Sequence, residues 1–230
     1  MSLSVLFIGN SHTYFNYMPQ MLSMLVDSKD RGFRLITDQC TGEGASLEWH
    51  WKNPFSRNAI RKKSWDYVVL QDRSGGPLEE PDSFARHAHL LDAEIGKQGA
   101  KTIFFLTWAN RLRPETQAAL ADAYTTTAHR LHAALAPVGL AWDAVRRIDP
   151  DMELYHRDGR HANPMGSYLA ACVFYSVLFK TSPEGLTGRF CHKGRMWVDL
   201  KKDRASLLQK IAWKTASHAR CPIAGAHYNF

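Results

Sequence analysis

Short apolar runs alternate along this chain with segments of helical period. Ser4-Val5-Leu6-Phe7-Ile8 is almost wholly apolar and is closed by Gly9, which predicts a buried strand over Leu3–Ile8. Met18, Met21, Leu22, Leu25 and Val26 then recur at helical spacing, predicting a helix near residues 18–28. The same reading places a second strand near 33–39, a short basic helix near 55–63, a third strand at 66–70 and a helix around 82–98. Thr102-Ile103-Phe104-Phe105-Leu106-Thr107 is nearly continuous apolar sequence and reads as a central parallel strand over 101–107. A long helix is predicted from Pro114 to Ala136, a short fifth strand at Val138-Gly139-Leu140-Ala141, an apolar helix through Tyr168–Leu178 and a last helix over 199–219. Repeated strand–helix alternation means an α/β fold of three layers, a parallel five-stranded sheet with helices on both faces. No repeat or linker divides the chain, so residues 1–230 read as a single domain.

Composition narrows the class. Hydrophobic residues make up 45% and charged residues 22%, ordinary globular usage. No apolar run is long enough to span a membrane. The first residues carry no basic segment ahead of an apolar stretch, so the reading is a cytoplasmic protein; a leader replaced at Met1-Ser2-Leu3 stays open. Net charge is +7, with basic clusters at Arg57–Lys63 and Lys193–Arg204. Neither cluster carries interleaved aromatics or a nucleic-acid-binding motif, so no nucleic-acid partner is expected, and an anionic substrate or an acidic polymer surface is the better meaning of the charge, if it has one. Cys40, Cys172, Cys191 and Cys221 are widely spaced, which argues against a zinc ribbon or a dithiol site. Cys191 and Cys221 both lie late in the chain, and their pairing stays open.

Two segments carry the chemistry. Ser11 follows the first strand in Gly9-Asn10-Ser11-His12, on a strand-to-helix turn at the carboxyl end of the sheet, where open α/β sheets place their ligand crevice. The alternative is that Ser11 only caps a helix. Far along the chain, Asp158 and His161 lie three apart in a loop before Asn163-Pro164, a natural N-cap and first-turn pair. A serine becomes a nucleophile when a base takes its proton, and the base needs an acceptor that holds its tautomer. Ser11, His161 and Asp158 supply those three parts.

The ordered blocks resemble the SGNH (GDSL-type) hydrolase superfamily of serine esterases and lipases. The matching segments are Gly9-Asn10-Ser11, the glycine block Thr41-Gly42-Glu43-Gly44-Ala45, Tyr67-Val68-Val69-Leu70-Gln71-Asp72, and Asp158-Gly159-Arg160-His161. Asn10 stands where the family has aspartate, and Gln71 where it has asparagine. Together with Thr107-Trp108-Ala109, these departures resemble a less characterised, mostly bacterial branch. The resemblance implies a flavodoxin-like strand order 2-1-3-4-5. It also implies Ser11, His161 and Asp158 as catalytic residues, and an oxyanion hole from the backbone N–H groups of Ser11 and Gly44 with the Gln71 amide. It implies no metal and no organic cofactor.

The expected reaction is hydrolysis of a carboxylic ester, a small acyl group on a carbohydrate-like alcohol. Seven tryptophans favour a sugar, with Trp49 and Trp108 expected at the substrate alongside Asn10. Trp108 alternatively only closes the core. An acyltransferase with the same three residues, and a non-catalytic carbohydrate-binding protein on the same fold, remain as rival readings. His12 adjoins Ser11 but points elsewhere, and is expected as an entry-helix or rim residue rather than as the base. His87 with His89, and His129 with His132, are expected to hold no metal. Asp72 is expected to form a turn.

Overall fold

The structure is a computed structural model that describes residues 2–29 and 32–219. In chain order it has β1 (Ser2–Gly9), α1 (Ser11–Tyr14), α2 (Met18–Lys29), β2 (Arg34–Thr41), α3 (Leu47–Lys52), α4 (Pro54–Arg61) and β3 (Tyr67–Leu70). There follow α5 (Gly76–Glu79), α6 (Pro81–Lys97), β4 (Lys101–Phe105), α7 (Gln117–Arg130), β5 (Ala134–Ala136), α8 (Val138–Ile148) and α9 (Pro164–Phe179). The described chain closes with β6 (Arg189–His192), β7 (Arg195–Asp199) and α10 (Lys202–His218).

β1 to β5 form one parallel sheet in the order β2-β1-β3-β4-β5. The two-residue period of a strand divides its side chains between two cores. Val5, Phe7, Val69, Ile103 and Phe105 face α2, α8 and α9. Leu6, Ile8, Val68, Leu70 and Phe104 face the layer of α3, α4, α6 and α7. Burial on both faces is why these strands read as continuous apolar runs. β2 lies at the sheet edge and alternates more openly, leaving Ile36 exposed. The carboxyl ends of all five strands lie along one rim, and that rim carries Ser11.

Three expectations need correction. The helix expected to reach Ala136 ends at Arg130, because His132 takes a left-handed conformation (φ 51°) and breaks it. The alanines that follow have helical propensity, but Ala134–Ala136 pair with Ile103–Phe105 as β5, so tertiary pairing overrides local preference. Val138–Ala141, expected as the fifth strand, instead opens α8 behind Pro137. There the Gly139 N–H donates to Leu106 O at 2.9 Å, and a Cβ on residue 139 would collide with the Thr107 carbonyl. The fourth strand ends at Phe105 rather than Thr107. The β6–β7 hairpin has no counterpart in the sequence reading; its outward positions mix charged residues with Cys191 and the exposed Met196, so no regular alternation marks it, and its turn is His192-Lys193-Gly194-Arg195.

Cys221 lies outside the described residues. Cys191 is exposed on β6, and Cys172 is buried in α9. No helix among the described residues is long and apolar enough to cross a membrane.

Candidate active site

β1 delivers its chain into a tight turn at Gly9-Asn10. Asn10, not Ser11, caps α1: its side-chain oxygen accepts from the His12 N–H at 3.1 Å. That leaves the Ser11 hydroxyl free to leave the helix. It reaches His161, its Oγ standing 2.8 Å from Nε2. On the other side of the ring, His161 Nδ1 lies 2.7 Å from Asp158 Oδ2. A carboxylate only accepts, so Nδ1 carries the proton and Nε2 presents its lone pair to the serine.

The loop that carries Asp158 and His161 is built from its own backbone. Asp158 Oδ1 accepts from the N–H groups of Arg160 (2.8 Å) and His161 (2.9 Å), and the His156 N–H donates to His161 O at 2.7 Å. His156 Nδ1 also approaches Asp158 Oδ2 at 3.1 Å. Partial burial raises the Asp158 pKa, but the hydrogen bonds from His161, the two backbone amides and His156 outweigh it and hold the carboxyl well below its usual range. It is therefore an anion whenever the imidazole needs an acceptor. Asn163 caps α9 through Gly166 N with Pro164 at its first turn, as the sequence implied.

Two further contacts hold the His161 loop against the turn that carries Ser11. Phe15 stacks on the His161 ring at 4.3 Å and 11°. Asn16, in a left-handed conformation (φ 54°), donates to Ala162 O at 3.0 Å and to Ser167 Oγ at 2.9 Å. Sequence reasoning missed both, since neither residue type announces a role.

Around Ser11 lies a cavity of about 390 Å³ whose walls include Phe15, Gly44, Arg73, Ser74 and Arg160. Ser11 N–H and Gly44 N–H have no acceptor among the described residues. Gly44 takes a left-handed turn (φ 60°), which is strained for any residue with a side chain.

Other expected site residues lie elsewhere. The Gln71 side chain is fully buried, and both its N–H donors are spent, one on Asn10 Oδ1 at 2.9 Å and one on Asp72 O. Its oxygen accepts from Asn10 N (2.9 Å) and Thr13 Oγ1 (3.0 Å). With no donor left for a ligand, Gln71 braces the Gly9-Asn10 turn. Asn10 borders the cavity, but its amide donates to Ala45 O and Asp72 O, so its polar atoms are committed internally rather than to substrate. Trp108 is buried, stacks on Trp142 at 4.1 Å and donates its indole N–H to Arg160 O at 2.9 Å. It closes the core and supports the base loop. Trp49 is half-exposed on α3 and is not part of the wall around Ser11. Asp72 accepts from Leu47 N and Arg73 N as a turn-former, and burial pushes its pKa up to about 6.

His12 is buried beneath the cavity, 5.0 Å from the Trp108 ring and 5.5 Å from the His161 ring. Burial, then the neighbouring His161 and Arg160, lower its pKa to about 3, so it is neutral and does not compete as a cation. Among the described residues no cluster of three or more His, Cys, Asp or Glu is placed to hold a metal.

Beneath the turn, His50 is fully buried between Gly9 O (Nε2, 2.9 Å) and Ser56 Oγ (Nδ1, 2.7 Å). The carbonyl requires Nε2 to be the donor, so Nδ1 accepts from the serine. Burial lowers the His50 pKa to about 4 against an ordinary value of 6.5. Between those two values the unfolded chain binds the proton and the folded one does not, so stability falls as pH drops through this window. His12 acts in the same direction, while Asp72, with its raised pKa, opposes below about 6. His50→Gln keeps a donor for Gly9 without the titration. Its Tm should therefore fall less steeply than wild type between pH 7 and 4; parallel melting curves would deny His50 this role.

Comparison with protein-family models and with curated proteins finds no match. Among solved structures, a Slackia heliotrinireducens protein provisionally named an SGNH hydrolase aligns over 77% of this chain and 100% of its own, at 29% identity and TM-score 0.65. The chain belongs to the SGNH hydrolase superfamily. A DUF4886 family protein from Bacteroides uniformis shares the SGNH fold of this chain at TM-score 0.73 and 19% identity, over 95% of this chain and 96% of that one. A mutant of an acetyl-xylooligosaccharide esterase from Geobacillus stearmophilus does so at TM-score 0.59 and 14% identity, over 75% and 93%. The strand order of this SGNH chain, β2-β1-β3-β4-β5, is the order the superfamily resemblance implied.

Proposed function

We propose that this SGNH-type hydrolase acts on carboxylic esters carrying a small acyl group, with residues 1–230 working as one domain. The observation that carries the reading is the continuous chain Ser11–His161–Asp158, at 2.8 and 2.7 Å, opening on a cavity edged by two backbone N–H groups with no acceptor among the described residues. Ser11 Oγ attacks the ester carbonyl as His161 Nε2 takes its proton. Asp158 holds the ring and stabilises the imidazolium. The N–H groups of Ser11 and Gly44 receive the negative charge that develops on the carbonyl oxygen. His161 then gives its proton to the leaving alkoxide. Water, activated by the same imidazole, releases the acid and restores the serine.

The acetyl-xylooligosaccharide esterase among the structures of this fold supports an acetylated sugar as substrate. The tryptophans do not add to that support, since neither Trp49 nor Trp108 walls the cavity.

A fluorophosphonate probe tests the reading directly. It should label wild-type protein on the peptide containing Ser11, and Ser11→Ala should abolish the adduct. Acetyl through butyryl esters of one alcohol should be hydrolysed with kcat/KM falling as the acyl chain lengthens. Folded wild-type protein that takes no label and cleaves no ester would remove the proposal.

A further inference from the structure

The cavity at Ser11 does not end at the reacting serine. Arg73, Ser74 and Arg160 line it, and the same three residues line a neighbouring cavity of about 570 Å³. This second space is larger than the first and extends past Asn110 and Arg113. A small acyl group at Ser11 does not need it, so the room belongs to the alcohol side of the ester.

Its lining is cationic. Arg73, Arg113 and Arg160 face one carboxylate, Glu79. Arg73 is already paired, with Glu79 at 2.5 Å and Glu80 at 3.3 Å. Arg113 reaches Glu115 only at 3.7 Å, both side chains about two-thirds exposed, a pair that contributes little. The Arg160 guanidinium has no hydrogen-bond or ion-pair partner among the described residues. Yet Arg160 is not on a loose segment. Its N–H donates to Asp158 Oδ1 at 2.8 Å, and its carbonyl accepts the Trp108 indole N–H at 2.9 Å. An unpaired guanidinium, anchored by its backbone next to the base and lining both cavities, is arranged to meet an anion with a planar pair of donors.

We infer that the second cavity is a subsite for an anionic oxyacid group on the alcohol portion of the substrate, with Arg160 as its first contact and Arg113 as its second. The inference rests on the ester-hydrolase reading above and adds the charge of the substrate to it.

The test compares 4-acetoxybenzoate with its neutral counterpart 4-acetoxybenzamide, so that acyl group and size stay the same. The ratio of kcat/KM for the anionic over the neutral ester should fall about tenfold in Arg160→Gln and further in Arg160→Gln/Arg113→Gln. Arg160→Lys should keep most of the wild-type ratio, because it keeps the charge, and added salt should lower that ratio. A ratio that is the same in wild type and in the double variant would overturn the subsite. If wild type hydrolyses neither ester, the hydrolase reading fails by itself, and calorimetry on Ser11→Ala protein then reads the subsite alone. Binding of 4-hydroxybenzoate in preference to 4-hydroxybenzamide, weakened about tenfold by Arg160→Gln, upholds it; equal binding of the two overturns it. Circular dichroism of each variant establishes that it is folded.

Discussion

Ser11→Ala is expected to lower kcat/KM by about four or more powers of ten, with His161→Ala nearly as severe and the double variant little worse than either. The reason is that hydroxyl, imidazole and carboxylate form one unit: without the serine there is no proton for His161 to take, and without the histidine the serine stays protonated. Residual turnover would come from the backbone N–H groups of Ser11 and Gly44, which neither substitution removes. Asp158→Asn should cost almost as much. An asparagine can offer its N–H to Nδ1, which favours the tautomer with the proton on Nε2, facing the serine. Rates measured on the same ester for the three single variants and one double variant decide the matter. Losses that multiply would place one of the residues outside the mechanism.

The second large effect is on stability. Gln71→Ala should lower the unfolding free energy by about 3 kcal/mol or more, because it strands several buried partners at once. Asn10 N–H and Thr13 Oγ1 lose their acceptor, and Asn10 Oδ1 and Asp72 O each lose one of two donors. All lie at fully buried or nearly buried residues, where water does not replace the missing bonds. The kcat of the folded fraction should change by less than about tenfold. An oxyanion donor would behave in the opposite way, costing about a hundred- to a thousandfold in kcat with little change in melting. Gln71→Glu sharpens the contrast: one carboxylate oxygen keeps the acceptor for Asn10 and Thr13, but the other replaces the N–H donors with an acceptor opposite Asp72 O and Asn10 Oδ1, so it should destabilise while leaving the Ser11 and Gly44 donors in place. Chemical denaturation and steady-state kinetics on one preparation separate the two roles.

The misreading of Gln71 shows where sequence reasoning stops. Its position at the end of β3, next to the nucleophile turn, is legible from the apolar run before it. Which way its amide points is not. That direction is set by what β1 places beside it: β1 and β3 pair in parallel with Ile8 opposite Leu70, so Gln71 meets the Asn10 turn side by side. An amide there satisfies the turn's backbone before it can reach a ligand. Trp108 is a similar case. A tryptophan at the end of a strand reads equally as a pocket wall or a core residue, and only the stack on Trp142, a residue 34 positions further on, makes it core. The β5 error has the same origin, since Ala134-Leu135-Ala136 becomes a strand only because β4 offers it a free edge.

The amino-acid sequence by itself determined the layered α/β architecture, because strands buried on both faces must be written as continuous apolar runs and helices as periodic ones. It also determined the candidate nucleophile and its partner pair, because Gly9-Asn10-Ser11 follows the first strand and Asp158 with His161 precedes a capped apolar helix. Those signals are local, carried by a few neighbouring residues. Tertiary structure alone decided what depends on contacts between distant segments. It brought Ser11 within 2.8 Å of a histidine 150 residues away, stacked Phe15 on that ring, and turned Gln71 inward. It also left the Arg160 guanidinium without a hydrogen-bond or ion-pair partner among the described residues, on the wall of both cavities.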